Sequence, residues 1–322
     1  MITIGLALPH YDGFFPNPKV TGAHRTRRAL AYAQRAEQAG LHQLWVSDHL
    51  WLDVAPQDRR RSPDCWTLLA AIAATTRRIR LGSLVTPASL REPELLVHQI
   101  ATVADLAGER LDIGLGAGWN AAEFAAAGRR FSAAADRLAD VERTAALIRT
   151  ELGPTAPPVW VGGKRSGILS VAARIADGWN LAWDPTPASY WQRLARLNAA
   201  QPSARERAPI LRSVGLTTVI GTDEDDLHQR WTRLRRWVPG GHLDGLSFEA
   251  WRKRGLIGTP DEVHSRLTAW ESLGVDHVVC AHGMPFGLFD DEQIDLLTAA
   301  ARRAEATTTA NPLTQEERYG TA

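Results

Sequence analysis

The fold class that this sequence predicts is an α/β barrel of eight strand–helix units, and three observations predict it. Eight short apolar runs alternate with helical patterns along the 322 residues. Strands separated by helices pair in parallel, because each crossover must travel back along the sheet. Third, Gly, Ser, Asp, His, Asn and Trp gather at the C-terminal ends of the apolar runs, where a barrel carries its chemistry. An open doubly wound sheet is the alternative. Length leaves one or two domains open, since barrels of this kind run past about 250 residues as one domain.

Taken in order, residues 2–9 form a strand, and 25–39 a helix with Ala29, Ala33, Ala36 and Ala39 on one side and a stop at Gly40. A strand at 43–47, a helix at 65–76, a strand at 79–85 and a helix at 93–107 ending at Gly108 come after them. Next are a strand at 111–116, a helix at 134–150, a strand at 158–162, a helix at 166–176, a strand at 178–183 and a helix at 187–199. The last units are a strand at 212–220, helices at 224–236 and 260–273, a strand at 276–281 and a helix at 291–304. Residues 237–258 read as an inserted loop over the mouth, and the chain from Thr307 as a poorly packed tail, giving one domain over 1–306 and a flexible tail over 307–322.

The stretch Gly114-Leu-Gly-Ala-Gly-Trp-Asn120 resembles a dinucleotide loop only superficially. In Gly-x-Gly-x-x-Gly the sixth position allows close helix–strand packing, and here it is Trp119. The stretch therefore reads as a barrel strand opening into a loop. A net charge of +1 offers no field to recruit nucleic acid or a membrane, and no apolar run nears the ~20 residues of a membrane span. Cys65 and Cys280 have neither metal nor redox spacing, which suits unpaired thiols in a cytoplasmic protein. No metal set and no serine elbow is present in the sequence pattern.

Candidate residues can be assigned strand by strand. His10 and Tyr11 come after the first strand, Ser47-Asp48-His49 after the second, and Ser83 to Pro87 at the third, including Leu84 and Thr86. Gly116, Ala117, Gly118, Trp119, Asn120 and Glu123 belong to the fourth, Gly162, Gly163, Lys164, Arg165 and Ser166 to the fifth, Trp179, Asn180 and Trp183 to the sixth, and His282 to the eighth. Asp48-His49 can be an acid/base pair or a structural hydrogen bond. Gly162 to Ser166 can hold a phosphate at a helix N-terminus, with two glycines for close approach and two cations, or can be a plain turn with a serine cap. Asn120 and Glu123 either touch a cofactor or order their own loop. The tryptophans either stack on a ring or fill the rim.

Together, Ser47-Asp-His-Leu50, Leu81-Gly-Ser83 to Thr86-Pro87, Leu111-Asp-Ile-Gly-Leu-Gly-Ala-Gly-Trp-Asn120, Val159-Trp-Val-Gly-Gly163, Ala176-Asp-Gly-Trp-Asn180 and Ile257-Gly-Thr-Pro-Asp-Glu-Val263 resemble the luciferase-like monooxygenase superfamily. These are (β/α)₈ TIM barrels that bind FMN or the deazaflavin coenzyme F420. The resemblance implies an F420-dependent oxidoreductase moving a hydride between deazaflavin C5 and a C=C, C=N or C=O/alcohol substrate. FMN with oxygen insertion, fed by a separate reductase, is the alternative, and a non-catalytic flavin-binding barrel is a further one. It also implies a homodimer and a non-proline cis peptide at Ser83-Leu84 behind the ring. His49 and Asp48 would be catalytic. Ser83, Leu84, Thr86, Gly116, Ala117, Gly118, Asn120 and Gly162 to Ser166 would hold the cofactor. His10, Trp119, Trp183 and His282 would line the substrate pocket. Trp231, Trp237 and Trp251, with Arg252-Lys253-Arg254, depart from the family pattern and suggest an aromatic lid.

Overall fold

The computed structural model describes residues 2–12, 22–55, 57–202, 208–238, 243–283 and 290–310, apart from the side chains of Trp237 and of 303–310. Eight parallel strands close on themselves: β1 (Thr3–Ala7), β2 (Gln43–Val46), β5 (Arg80–Ser83), β7 (Leu111–Gly116), β8 (Val159–Gly162), β9 (Gly178–Leu181), β10 (Leu211–Ile220) and β12 (His277–His282). Each pairs with the next, and β12 pairs with β1, so no barrel strand is left as an edge. All eight strands coincide with the apolar runs. Four short strands had no clear sequence signal: the antiparallel hairpin β3 (Trp51–Ala55) and β4 (Asp58–Arg61), β6 (Thr86–Pro87) beside β7, and β11 (Leu256–Gly258) beside the top of β10.

Helices α1 (Gly22–Ala39), α2 (Cys65–Thr75), α3 (Pro93–Ala107), α5 (Ala134–Leu152), α6 (Ser166–Ile175), α7 (Pro187–Ala199), α8 (Glu224–Trp237), α10 (Pro260–Ser272) and α11 (Asp291–Ala310) form the outer layer. Two short helices are additional, α4 (Ala121–Ala126) and α9 (Phe248–Arg252). Local chemistry sets their starts. The carboxylate of Asp64 accepts from Thr67 N at 2.8 Å, Thr186 caps α7 ahead of Pro187, and Thr259 with Glu262 forms a capping box ahead of Pro260 in α10's first turn. Helix α11 runs to Ala310, four residues into the segment assigned to the tail; 311–322 lie outside the described residues.

The strands' alternation divides their side chains into an outward set that packs under the helices and an inward set that fills the barrel. Leu6, Leu44, Leu81, Ile113, Val161, Leu181, Leu216 and Cys280 belong to the outer core. Inside, Trp45, Trp160, Val279, Ala7 and Leu84 pack together, the two indoles edge-on at 5.6 Å. Their bulk fits because Gly82 and Gly178 stand opposite, where a Cβ would run into the rings of Trp45 and Trp160. Below them Asp112 receives Gln43 Nε2 at 2.7 Å, Arg80 Nε at 2.9 Å and Trp160 Nε1 at 3.2 Å. Beside it Trp45 Nε1 donates to His277 Nε2 at 2.9 Å. The other ring nitrogen therefore carries the proton and donates to Thr3 Oγ1 at 2.7 Å, and Thr3 donates in turn to the Asp276 carbonyl. This layer closes the N-terminal end of the barrel.

The described part of 237–258 carries the short elements α9 and β11 in place of a purely irregular loop. Trp231 and Trp251 stack at 4.7 Å and are buried with Val219, Leu227, Leu234 and Ile257, so these rings are a small second core and not a lid. The Trp237 side chain lies outside the described residues. Arg252 pairs with Glu224 and Glu262 and ties α9 to α8 and α10. The β3–β4 hairpin leaves the C-terminal end of β2, and its Val54 and Leu52 pack on Val238 and Leu243 beyond α8. Its root is fastened by Asp12, whose amide donates to the Arg61 carbonyl at 2.8 Å and whose carboxylate pairs with Arg25 of α1.

Replacing Asp112 by Ala leaves three donors without their acceptor, one of them charged, and should cost about 3–5 kcal/mol. Urea denaturation should show that loss as a lower midpoint, and a midpoint equal to wild type would refute the assigned role of this carboxylate.

Candidate active site

At the end of β2, His49 turns to a buried carboxylate from across the mouth. Its Nδ1 lies 2.9 Å from Glu123 Oε2 and 3.2 Å from Oε1, and Oε1 also accepts from Leu50 N at 2.7 Å. Glu123 sits in the first turn of α4, with Asn120 as the N-cap whose side chain accepts from Ala122 N. Because a carboxylate only accepts, His49 Nδ1 is the donor, and in the neutral ring Nε2 keeps its lone pair. The imidazole remains partly open to solvent while Glu123 is buried. The exposed indole of Trp119 stands edge-on to it at 5.7 Å.

Asp48, expected to work beside His49, faces another way. Arg91 holds both of its oxygens, at 2.6 and 2.9 Å, and also reaches Asp64 at 2.8 Å. The carboxylate is saturated by a fork-like cation that also links it to the cap of α2. Asp48 thus fixes the strand end from which His49 projects. His10 donates from Nδ1 to the Leu8 carbonyl at 2.6 Å and receives Ser47 Oγ at Nε2 at 3.1 Å, and Ser47 is joined by Tyr11 Oη at 2.7 Å. Burial lowers the His10 pKa to about 4, so it is neutral under ordinary conditions.

On the third strand the cis peptide is Leu84-Val85, one bond beyond the expected Ser83-Leu84. Ser83 is buried, its hydroxyl donating to Gly114 O at 2.9 Å and accepting from Gly114 N at 3.1 Å, so it staples β5 to β7. Leu84 faces the Trp45–Trp160 layer, and Thr86 Oγ1 accepts from Trp66 Nε1. Val85 is the group that meets the glycine wall: a Cβ on Gly116 or Gly162 would stand 2.6 Å from one of its methyls. Gly118 has a positive φ of 72° and lies against Phe124, and the Ala117 carbonyl accepts from Arg137.

After β8, Gly163, Lys164 and Arg165 lead into α6. Ser166 is the first helical residue and not the cap; Arg165 occupies the cap position and supplies no side-chain hydrogen bond. Lys164, Arg165 and Ser166 are exposed there. Trp179 is buried and donates to Gly163 O at 2.9 Å, and Asn180 Nδ2 donates to Ser213. Trp183, half-exposed, lies against Gly215 and is followed by Asp184, which accepts from Thr217 N and Oγ1 at 2.7 and 2.6 Å.

His282 does not line the mouth. It shares the outward side of β12 with Val278 and Cys280, and its Nδ1 meets Tyr32 Oη of α1 at 3.0 Å, Tyr32 itself donating to the Asp290 carbonyl. Though β1 and β12 pair as expected, His10 and His282 make separate networks. The structure thus gathers His10, His49, Trp119 and the Gly116 and Gly162 walls at the strand ends. Glu123, Tyr11 and Arg91 carry more of the geometry than their sequence signals suggested. Among the described residues no cluster of three or more His, Cys, Asp or Glu could hold a metal, and no helix is long and apolar enough to cross a membrane.

A family model described as luciferase-like monooxygenase matches residues 12–277. An F420-dependent glucose-6-phosphate dehydrogenase of Beutenbergia cavernae is 35% identical over 323 aligned positions, spanning 87% of this chain and 91% of that one. Among solved structures, an F420-dependent secondary alcohol dehydrogenase in complex with an F420–acetone adduct superposes with a TM-score of 0.71 at 15% identity, over 94% of this chain and 99% of its own. The monooxygenase RslO1 from Streptomyces bottropensis superposes at 0.76 and 21% identity, over 94% and 100%.

His10, His277 and His282 are buried, and burial lowers their pKa values to about 4, 3 and 3. Below pH 6.5 the unfolded chain binds protons that the native state refuses, so stability falls as pH drops toward the native values, by about 2 kcal/mol per histidine at pH 5. Urea midpoints at pH 7.5 and 5 should differ accordingly, and the His282→Asn variant should show a smaller difference; an unchanged pH dependence would count against a buried neutral ring.

Proposed function

We propose that this chain, which belongs to the luciferase-like monooxygenase family, is an F420-dependent dehydrogenase of a small hydroxyl-bearing substrate. The observation that carries the reading is the His49–Glu123 pair, which leaves a basic nitrogen at the barrel mouth. The cofactor reading is supported by the F420-dependent dehydrogenases among its relatives.

The residues fit such a cofactor. The α6 N-terminus lacks a side-chain cap and carries Lys164 and Arg165, so its free amides and positive end suit a phosphate. Gly114, Gly116 and Gly162 keep the wall around Val85 free of side chains, which suits the edge of a flat ring. A bound deazaflavin would supply the hydride acceptor. The chain's own part is proton management and positioning. His49 Nε2 takes the hydroxyl proton of the substrate as its C–H bond gives up hydride, and Glu123 stabilises the imidazolium that results. Asp48 and Arg91 hold the strand end still while this happens.

Anaerobic fluorescence titration should give micromolar binding of F420 and at least about tenfold weaker binding of FMN; the reverse order would replace this reading with oxygen insertion. In F420 reduction by a panel of secondary alcohols, His49→Ala should lower kcat by about 10²–10⁴ with F420 affinity within about threefold of wild type. Lys164→Ala with Arg165→Ala should do the opposite, weakening F420 binding by about tenfold or more. An active His49→Ala enzyme would remove the imidazole from the reaction.

A further inference from the structure

We propose that Tyr11 is a specificity-determining residue whose phenol oxygen acts only as a hydrogen-bond acceptor, selecting a substrate that bears a second O–H or N–H donor beside the carbinol handled by His49. The proposal deepens the dehydrogenase reading and rests on it for the first hydroxyl.

The direction of every hydrogen in this chain is fixed from its far end. The Leu8 carbonyl can only accept, so His10 Nδ1 carries the ring proton, and a neutral ring then offers Nε2 as an acceptor. Ser47 has one proton and gives it to that nitrogen. Tyr11 must therefore donate to Ser47 Oγ at 2.7 Å, and its own oxygen is left with lone pairs alone. The stacked His10 and Tyr11 rings, 4.6 Å apart, hold the phenol in place, and the Tyr11 side chain is only partly buried. Burial and the Glu123 carboxylate keep the phenol pKa well above its usual range, so the proton stays on Tyr11 and the polarity of the chain does not reverse.

The surroundings agree. Ser47 and His49 leave the same strand end two residues apart, and Glu123 acts electrostatically on Tyr11 while holding His49. With Nδ1 donating to Glu123, the neutral His49 ring also offers an acceptor at Nε2. Two acceptors at one mouth, with the charge of Glu123 behind them, match a ligand that donates twice, such as a vicinal diol or an amino alcohol. A ligand with an ether or carbonyl oxygen at the second position would set lone pair against lone pair.

The test uses the full chain and two probes of nearly equal shape, butane-2,3-diol and 3-methoxybutan-2-ol, with binding read by ligand-observed NMR so that no turnover is needed. Wild type should prefer the diol by about tenfold, the value of one hydrogen bond to an acceptor that the ether leaves without a donor. Tyr11→Phe should bring the two probes within about twofold of each other, with circular dichroism confirming the fold. Ser47→Ala frees the Tyr11 proton to turn toward the ligand, and should raise affinity for the methyl ether. Equal binding of the probes by wild type, or an undiminished preference in Tyr11→Phe, would overturn the proposal, and so would a Ser47→Ala protein with no gain for the ether. A protein that shows the diol preference but never reduces F420 with an alcohol would support the Tyr11 assignment while refuting the dehydrogenase reading.

Discussion

A closed eight-stranded barrel has an interior of set width, and every other feature of this protein depends on how that interior is filled. Two indoles, an imidazole and a leucine occupy its middle, opposite glycines that leave them room. Indoles bring N–H groups with them, and His277 and Asp112 are their acceptors. Asp112 in turn needs cationic and amide partners, which Arg80 and Gln43 supply. The result is a filled base at the N-terminal end, opposite the strand ends where barrels of this kind carry their chemistry.

At that open end two carboxylates illustrate how environment assigns work. Asp48 and Glu123 are both almost fully buried. Asp48 is matched oxygen for oxygen by Arg91, so its charge is committed to structure. Glu123 holds a backbone amide and an imidazole in place of a guanidinium, and its charge is available to a histidine that gains a proton. Adjacent residues in sequence, Asp48 and His49, are separated in function by the direction each side chain takes from the strand end. A residue three positions into a distant helix becomes the histidine's real partner.

The barrel was legible because its signal is periodic and repeated: eight apolar runs, each bounded by a helix pattern, cannot easily arise otherwise. Gly116 and Gly162 stand out at strand ends as positions of close approach, and the group that approaches them within the fold is Val85. The rest depended on long-range geometry. Nothing in the local sequence says that Arg91 reaches Asp48, 43 residues earlier, or that Glu123 reaches His49 across 74. The β3–β4 hairpin escaped notice because Asp58-Arg-Arg-Arg61 has neither alternation nor β-branched residues; it is a strand through pairing and ion pairs, including Arg59 with Asp53. Trp231 and Trp251 drew attention as surplus aromatics, yet surplus aromatics between two helices and a short strand most simply make a core. His282 lies one step of strand alternation away from the inward set, and that single step moves a side chain from the inside of a barrel to its outside.

The hairpin has one more consequence, for how such a protein can change over time. Its ladder is its own, antiparallel and separate from the ten-stranded sheet, and it leaves the barrel and returns to it through Ser62 and Leu50 side by side. Its length and composition can therefore drift without shifting the register of any barrel strand. Replacing this cassette would remodel the loops beyond the strand ends while the barrel's register and its filled base persist, so a lineage of such chains can vary there long before its fold does.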